Sequence, residues 1–200
     1  PWYKIVEVLI CYRLIDPGSE WRLHRSWYDN SAMADLLGED FSLVAKSKLY
    51  ECHDKLLAYK EEFFLHLKER WKDLFNPTFD VLLYDLTSTY FECEPDYNAQ
   101  EPGLKRYGYS RDKRPDCLQV VIALVITPEG FPLAYEVMPG NTLDKTTLEG
   151  FLETIENTYG KARRTWIMDR GIPTEETLEK MRSSNPPVHY LVAHYTRKIA

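Results

Sequence analysis

The sequence predicts a mixed α/β sheet with helices on its faces, preceded by an all-helical N-terminal region. In residues 1–77, apolar side chains recur at the three- and four-residue spacing of helices. From residue 79 onward they form β-branched and aromatic runs, and the predicted elements follow the order β-β-β-α-β-α-β. Three strands followed by alternating helices and strands are typical of a mixed five-stranded sheet, not of a barrel or a sandwich. We therefore predict two domains, residues 1–77 and 78–200.

The N-terminal region contains several predicted helices. Residues 3–14 are apolar and end at the breaker cluster Asp16-Pro17-Gly18. Ser19 can cap a second short helix that reaches Tyr28. Helical spacing returns in residues 49–57 and 64–75, before Asn76-Pro77 ends the pattern. Since this region has no excess of basic residues, a packing or dimerisation layer is as good an interpretation as a DNA-binding arm.

The predicted strands of the second domain are residues 79–91, 117–127, 131–138, 164–168 and 188–194. The first is too long and too continuously apolar for a solvated strand, so we expect it at the centre of the sheet. Thr142 or Asp144 can cap the helix after the third strand, and Thr174 can cap the helix after the fourth.

Composition excludes several classes of protein. Lys and Arg number 25 against 31 Asp and Glu, a net charge of −6, so bulk positive charge does not hold this chain to nucleic acid. The four cysteines form no CxxC pair, which favours free thiols in a reducing compartment over a disulfide scaffold or a zinc site. No apolar run is long enough to cross a membrane, and no signal peptide is visible. These features predict a cytoplasmic protein without a membrane partner.

Two carboxylates stand out by their positions. Asp85 interrupts the most apolar predicted strand, where a charge costs several kcal/mol unless it is paired, bound to a metal or at the open end of the sheet. Asp169 lies where the fourth strand gives way to a loop, and open α/β sheets bind ligands at such carboxyl ends. Each could instead be structural, Asp85 in an arginine pair and Asp169 in a turn. If the first and fourth strands are neighbours, the two aspartates can share divalent cations, the arrangement that metal-dependent phosphodiester cleavage requires.

A basic loop, residues 105–114 (KRYGYSRDKR), is the second feature. In a chain of net negative charge, this local excess of Lys and Arg with interleaved tyrosines is typical of phosphate contacts and of stacking on unpaired bases. A solvated loop without a partner is the alternative. A smaller basic group near Asp169, formed by Lys161, Arg163, Arg164 and Arg170, can add phosphate contacts. The predicted DNA-binding residues are Lys105, Arg106, Tyr107, Tyr109, Arg111, Lys113, Arg114 and Arg170.

At these residues the chain resembles a known family, the bacterial insertion-sequence transposases of the DDE class, specifically the group with a Tyr-Arg-Glu-Lys signature. Five segments carry the resemblance in order: YDLTSTYFE (84–92), GYSRDKRPD (108–116), LQVVIALVITPEGFPLAYEVMPGN (118–141), DKTTLEGFL (144–152) and WIMDRG (166–171). Together they span most of residues 79–200.

The resemblance implies an RNase H-like core. It also implies Mg²⁺- or Mn²⁺-dependent hydrolysis at element ends and joining of the freed 3′-hydroxyl to target DNA. The family's first and second catalytic aspartates fall on Asp85 and Asp169. The implied partner is double-stranded DNA, as element ends and as target, and a homodimer is an open alternative for the full-length protein.

The chain departs from the family pattern in one respect. The family's third acid is a glutamate on a helix after the fifth strand, and no Tyr-Arg-Glu-Lys pattern occurs before Ala200. We therefore expect a fragment or a degenerate copy that does not transpose DNA by itself. Two alternatives stay open: a non-catalytic DNA-binding or assembly module derived from a transposase, and an RNase H-like nuclease that cuts without joining.

Overall fold

The computed structural model describes residues 1–92, 103–110, 112–143, 147–160 and 164–193. Within these ranges the helices are α1 (Trp2–Ile15), α2 (Glu20–Arg22, continued by a π-helical turn over Leu23–Trp27), α3 (Met33–Leu37), a 3₁₀ turn (Phe41–Val44), α4 (Lys46–Ala58), α5 (Lys60–Phe75), α6 (Leu148–Tyr159) and α7 (Glu175–Ser183). The strands are β1 (Val81–Phe91), β2 (Leu118–Ile126), β3 (Pro132–Pro139), β4 (Thr165–Met168) and β5 (His189–Val192).

The chain divides into two compact units, residues 1–63 and 64–200. The division falls inside α5 because the later part of this helix packs with the sheet. Trp71 and Phe75 lie against Phe131, with ring centroids 5.2 and 5.3 Å apart. The domain boundary predicted after residue 77 remains a prediction. By its contacts, most of α5 belongs to the second unit.

The first unit is helical, as the spacing of its apolar residues predicts. One face of α1 supplies Val8 and Tyr12 to a core completed by side chains from the π-helical turn, the 3₁₀ turn and α4. The Ser19 hydroxyl accepts a hydrogen bond from the backbone N–H of Arg22 at 3.2 Å, which confirms its capping role. The elements α3 and Phe41–Val44 were not predicted, because helices of one turn carry too few residues to show a period.

The second unit is a mixed sheet in the order β3-β2-β1-β4-β5. β1 pairs antiparallel with β2 and parallel with β4, while the outer pairs are antiparallel β2–β3 and parallel β4–β5. The prediction of a mixed five-stranded sheet with β1 at its centre is confirmed.

Alternation along β1 decides which face of the sheet is covered. Leu82, Tyr84 and Leu86 point into a core that includes Phe151 and Ile155 of α6. Further core residues come from β2, β4 and α7. The helices α6 and α7 therefore lie over the same face of the sheet. The odd-numbered residues of β1 point to the other face.

Two predicted helix starts had different outcomes. Thr174 caps α7 by accepting a hydrogen bond from the Thr177 N–H at 3.1 Å, as predicted. The cap predicted at Thr142 is wrong, since α6 begins at Leu148 and Thr142 lies in a turn closed by its N–H to the Pro139 carbonyl. Asp144, the other predicted cap, lies outside the described residues.

The cysteines that the structure describes are free thiols, as predicted. Cys52 and Cys117 are buried and Cys11 is half-buried. Cys93 lies outside the described ranges.

Candidate functional site

The register between β1 and β4 brings the two singled-out aspartates together. Leu83 pairs with Ile167 and Tyr84 with Met168 in a parallel ladder. Asp85 and Asp169 are the next residues along the two segments, directly after the last pair of this ladder. Because adjacent strands lie about 4.8 Å apart, the two backbones at these positions are lateral neighbours. Asp169 follows the last residue of β4, so the pair lies at the carboxyl end of that strand.

Both carboxylates point away from the core. Asp85 is exposed between the buried residues Tyr84 and Leu86, and Asp169 is exposed directly after buried Met168. A charge inside the central strand therefore avoids the expected burial cost, because it lies on the open face at the point where β4 ends. Asp85 is exposed because successive side chains along a strand point to opposite faces of the sheet.

Each carboxylate has one local hydrogen bond. Asp85 Oδ1 accepts from the Leu86 N–H at 2.8 Å, and Asp169 Oδ1 accepts from the Arg170 N–H at 2.7 Å. Within the described residues, neither aspartate forms an ion pair with Lys or Arg. Both retain oxygen atoms that can coordinate a cation.

The donor set suits a hard cation. Mg²⁺ prefers oxygen ligands and commonly binds through one or two carboxylates, completed by water and substrate phosphates. The described residues contain no group of three or more His, Cys, Asp or Glu placed to hold a metal ion. The carboxylates of Asp85 and Asp169 are ligands of the type that magnesium and manganese ions prefer, with water or phosphate oxygens as the remaining ligands.

The basic loop lies near the carboxyl end of β1, in the direction in which this strand continues after Asp85. β1 runs beyond Asp85 to Phe91, six residues or about 20 Å farther at ~3.3 Å per residue. Phe91 shares the face of Asp85 by alternation, and the Lys105 ammonium lies 4.3 Å from the centre of its ring. Lys105 is therefore on the face of the sheet that carries the aspartates.

Arg114 lies on the opposite side of β1. Its guanidinium sits 5.0 Å from the centre of the Tyr90 ring, and Tyr90 alternates with Phe91. It donates to both Asp116 oxygens and, at 2.7 Å, to Glu92 Oε1. These bonds raise the pKa of Arg114 and lower that of Asp116 to about 2. A phosphate would have to compete with two carboxylates for this side chain.

The other predicted DNA-binding residues differ in exposure. Tyr107 is 54% exposed and Tyr109 is 85% exposed. Arg106 is half-buried, and its backbone exchanges two hydrogen bonds with Gln119. Arg111 lies outside the described residues. Three further members are exposed: Lys105, Lys113 and Arg170.

The prediction that Arg164 adds phosphate contacts is wrong. Arg164 is 8% exposed and donates to the Gly160 and Tyr159 carbonyls at 2.8 and 3.3 Å. It binds the C-terminal end of α6, where backbone carbonyls lack helical partners. Lys161 and Arg163 lie outside the described residues.

Sequence reasoning missed the residues that hold the basic loop. Gln119 is buried in β2 and bonds to the Tyr109 and Gly140 carbonyls, and Gly108 packs directly against Gly140. The available signal was a glutamine near the start of the otherwise apolar run LQVVIALVI. A buried polar residue of this kind needs partners.

Comparison with known proteins identifies the family. Residues 81–198, more than half of the chain, match the family described as "Transposase DDE domain". The chain belongs to this family. The prediction of a DDE transposase is confirmed, and membership implies use of a divalent metal.

A solved transposase structure shares the fold of this DDE domain. The piggyBac transposase synaptic complex with hairpin DNA is 12% identical with a TM-score of 0.52, covering 99% of this chain and 42% of that one. The Mos1 transposase paired-end complex with left transposon end is 13% identical with a TM-score of 0.33, covering 96% of this chain and 58% of that one. The first likeness confirms the RNase H-like fold. The chain spans about half the length of these transposases.

No curated protein sequence matches the chain significantly. Across the described residues, no helix is both long enough and apolar enough to cross a membrane.

Proposed function

We propose that this protein is a DNA transposase of the bacterial insertion-sequence group with the Tyr-Arg-Glu-Lys signature. It acts in the cytoplasm, cuts at element ends and joins the freed 3′-hydroxyl to target DNA. Asp85 and Asp169 are its first two catalytic acids. The observation that supports the proposal is the parallel β1–β4 register within a transposase DDE domain, because its last pair, Tyr84 and Met168, directly precedes the two aspartates.

The aspartate pair would hold Mg²⁺ or Mn²⁺. When bound there, such a cation would supply positive charge for the reacting phosphate and for activation of the attacking oxygen. The chain's own contribution is to present two carboxylates from adjacent strands. Their backbones are fixed by the sheet, and each side chain is further oriented by a hydrogen bond from the next backbone N–H.

Double-stranded DNA is the proposed partner, both as element ends and as target. The proposed contacts are the residues predicted from the sequence: Lys105, Arg106, Tyr107, Tyr109, Arg111, Lys113, Arg114 and Arg170. Support is strongest for the exposed residues. Arg170 directly follows Asp169 and is exposed. A homodimer of the full-length protein remains part of the proposal.

Metal binding tests the role of the carboxylates without requiring activity. We expect Mn²⁺, followed by electron paramagnetic resonance, to bind the wild-type chain and to bind Asp85→Asn and Asp169→Asn at least about tenfold more weakly, because each loses an anionic ligand. Glu129→Gln, an exposed change in the β2–β3 turn, is the matched control and should bind like the wild type. Equal affinity in all four proteins would refute the site.

Products of DNA cleavage distinguish the related functions. In the full-length protein, wild type with Mg²⁺ should nick a plasmid carrying the element ends and give joined products, whereas both aspartate variants should bind DNA without cutting it. Cut strands without joined products would instead indicate an RNase H-like nuclease. Binding without any cleavage by the wild type would indicate a non-catalytic module.

A further inference from the structure

A buried amide joins the basic loop to the sheet. Gln119 is 1% exposed, and its Nε2 donates to the Tyr109 carbonyl at 2.9 Å and to the Gly140 carbonyl at 3.0 Å. Burying an amide is unfavourable unless it is hydrogen-bonded. Here both amide hydrogens bind backbone oxygens, one in the loop and one just after β3. The side chain therefore connects two segments that are distant in sequence.

Two glycines allow the close approach that these bonds require. A Cβ on Gly108 would overlap the Gly140 carbonyl, and a Cβ on Gly140 would overlap the carbonyls of Gln119 and Arg106. Backbone hydrogen bonds of 3.0 Å link Arg106 with Gln119 in both directions, and the Gly140 N–H donates to Leu104 at 3.0 Å. We call Gln119, Gly108 and Gly140 the loop latch.

The latch holds side chains that are suited to phosphate. Tyr107 and Tyr109 flank Gly108 and are largely exposed, and Lys105 lies two residues before Tyr107 on the face that carries Asp85. Lysine ammonium and tyrosine hydroxyl groups are both common contacts to DNA phosphates. Fixing the backbone beneath them lowers the entropy cost of binding.

The length of β1 sets the distance from this surface to the aspartates. Asp85 and Phe91, which lies under Lys105, are separated by about 20 Å along the strand. Each base pair of B-DNA advances about 3.4 Å, so this separation equals roughly six base pairs.

We infer that Gln119 is a positioning residue, and that the loop latch holds Lys105, Tyr107 and Tyr109 as a second DNA-contact surface roughly six base pairs from the aspartate pair. The inference rests on the proposed function and extends it. It assigns roles to Gln119, Gly108 and Gly140 and gives the minimum length of duplex that engages both surfaces.

Gly108→Ala tests the latch, and Gly103→Ala is its matched control. The added methyl at Gly108 meets the Gly140 carbonyl, whereas a Cβ on Gly103 meets no atom within 4 Å. Hairpin duplexes of about 4 and about 16 base pairs, one shorter and one longer than the separation of the two surfaces, are labelled with fluorescein in Ca²⁺ buffer and give affinities at several salt concentrations. For Gly108→Ala we expect roughly tenfold weaker binding of the long duplex and little change for the short one. The salt slope should fall by about 0.9 for each phosphate that the loop no longer binds.

Gln119→Leu tests the same latch by a different chemistry. Leucine suits an apolar strand but cannot donate to the two carbonyls, so we expect the same selective loss of affinity for the long duplex. The double variant should bind no more weakly than the worse single variant, because both changes open one latch. Affinity for Mn²⁺ and the circular dichroism spectrum should match the wild type. If Gly108→Ala fails to fold, Gln119→Leu decides.

Two results would overturn the inference. One is a long-duplex affinity in the latch variants equal to that of Gly103→Ala. The other is an equal loss of affinity for both duplex lengths, which indicates general destabilisation. A wild-type chain that binds neither duplex would overturn the proposed DNA partner as well, so the two failures are distinguishable.

Discussion

Arg114 shows how one residue can satisfy a basic pattern and still have mainly local partners. Its guanidinium bonds to Asp116 and Glu92 and lies over Tyr90, which ties the end of the loop to the end of β1. Counting charges along the sequence cannot separate such a residue from Lys105, which forms no ion pair within the described residues although its ammonium also lies over an aromatic ring. The difference depends on which acids the fold brings near each side chain.

The Arg114–Asp116 pair predicts an acid-dependent contribution to stability. The folded pKa of Asp116 is about 2, below an unfolded value of about 3.9. Ionised Asp116 thus stabilises the fold above about pH 4, and this contribution is lost as the pH falls toward 2. We expect Asp116→Asn to melt at a slightly lower temperature than wild type at pH 5–7, with the difference vanishing near pH 2. The effect is small because the pair is exposed.

Thermal melting followed by circular dichroism over this pH range is the measurement. Asp112→Asn, an exposed change in the same loop, is the control. A melting difference between Asp116→Asn and wild type that persists unchanged to pH 2 would contradict the assigned pKa.

At the scale of elements, α6 and β4 are joined by a buried cation. Arg164 immediately precedes β4 and donates to the last carbonyls of α6, and burial lowers its pKa. The arginine thereby fixes the connection that leads into β4, the strand that ends at Asp169. Arg164 thus stabilises the fold, whereas the basic residues around it in the sequence had led us to predict a DNA contact.

Arg164→Met should lower the free energy of unfolding by about 1–3 kcal/mol, because two backbone carbonyls lose a charged donor. Urea unfolding followed by tryptophan fluorescence measures the change. Arg170→Met removes an exposed arginine six residues later and should stay within about 0.5 kcal/mol of wild type. Equal stability of both variants would show that the bonds from Arg164 contribute nothing.

Across the whole molecule, the candidate metal site links stability to cation concentration. A ligand that binds only the folded state stabilises it by about 2.7 kcal/mol at a hundredfold excess over its dissociation constant. If the two carboxylates share a cation, its removal leaves two like charges close together.

We therefore expect Mg²⁺ to raise the melting temperature of the wild-type chain but not that of Asp85→Asn. Without a divalent cation, Asp85→Asn should melt at or above the wild-type temperature, since one of two adjacent charges is gone. Differential scanning calorimetry with and without Mg²⁺ provides both values, with Glu129→Gln as the control. An equal rise in melting temperature in wild type and Asp85→Asn would show that the cation binds elsewhere.

The order of the five strands, and the location of Asp85 within a strand and of Asp169 directly after one, could be predicted from the sequence alone. Periods of two and of 3.6 residues are local, so runs such as residues 79–91 indicate a strand without knowledge of its partners. The helix cap at Thr174 could also be predicted, because the hydroxyl and the N–H it binds are three residues apart.

Contacts between residues that are far apart in the sequence could be established only from the folded structure. The β1–β4 register pairs Tyr84 with Met168, directly before Asp85 and Asp169, and alternation along β1 leaves Asp85 exposed. Folding also buries Arg164 and closes Gln119 onto Gly140. These contacts join residues that no local period relates, since strand order and register arise from the packing of the whole sheet.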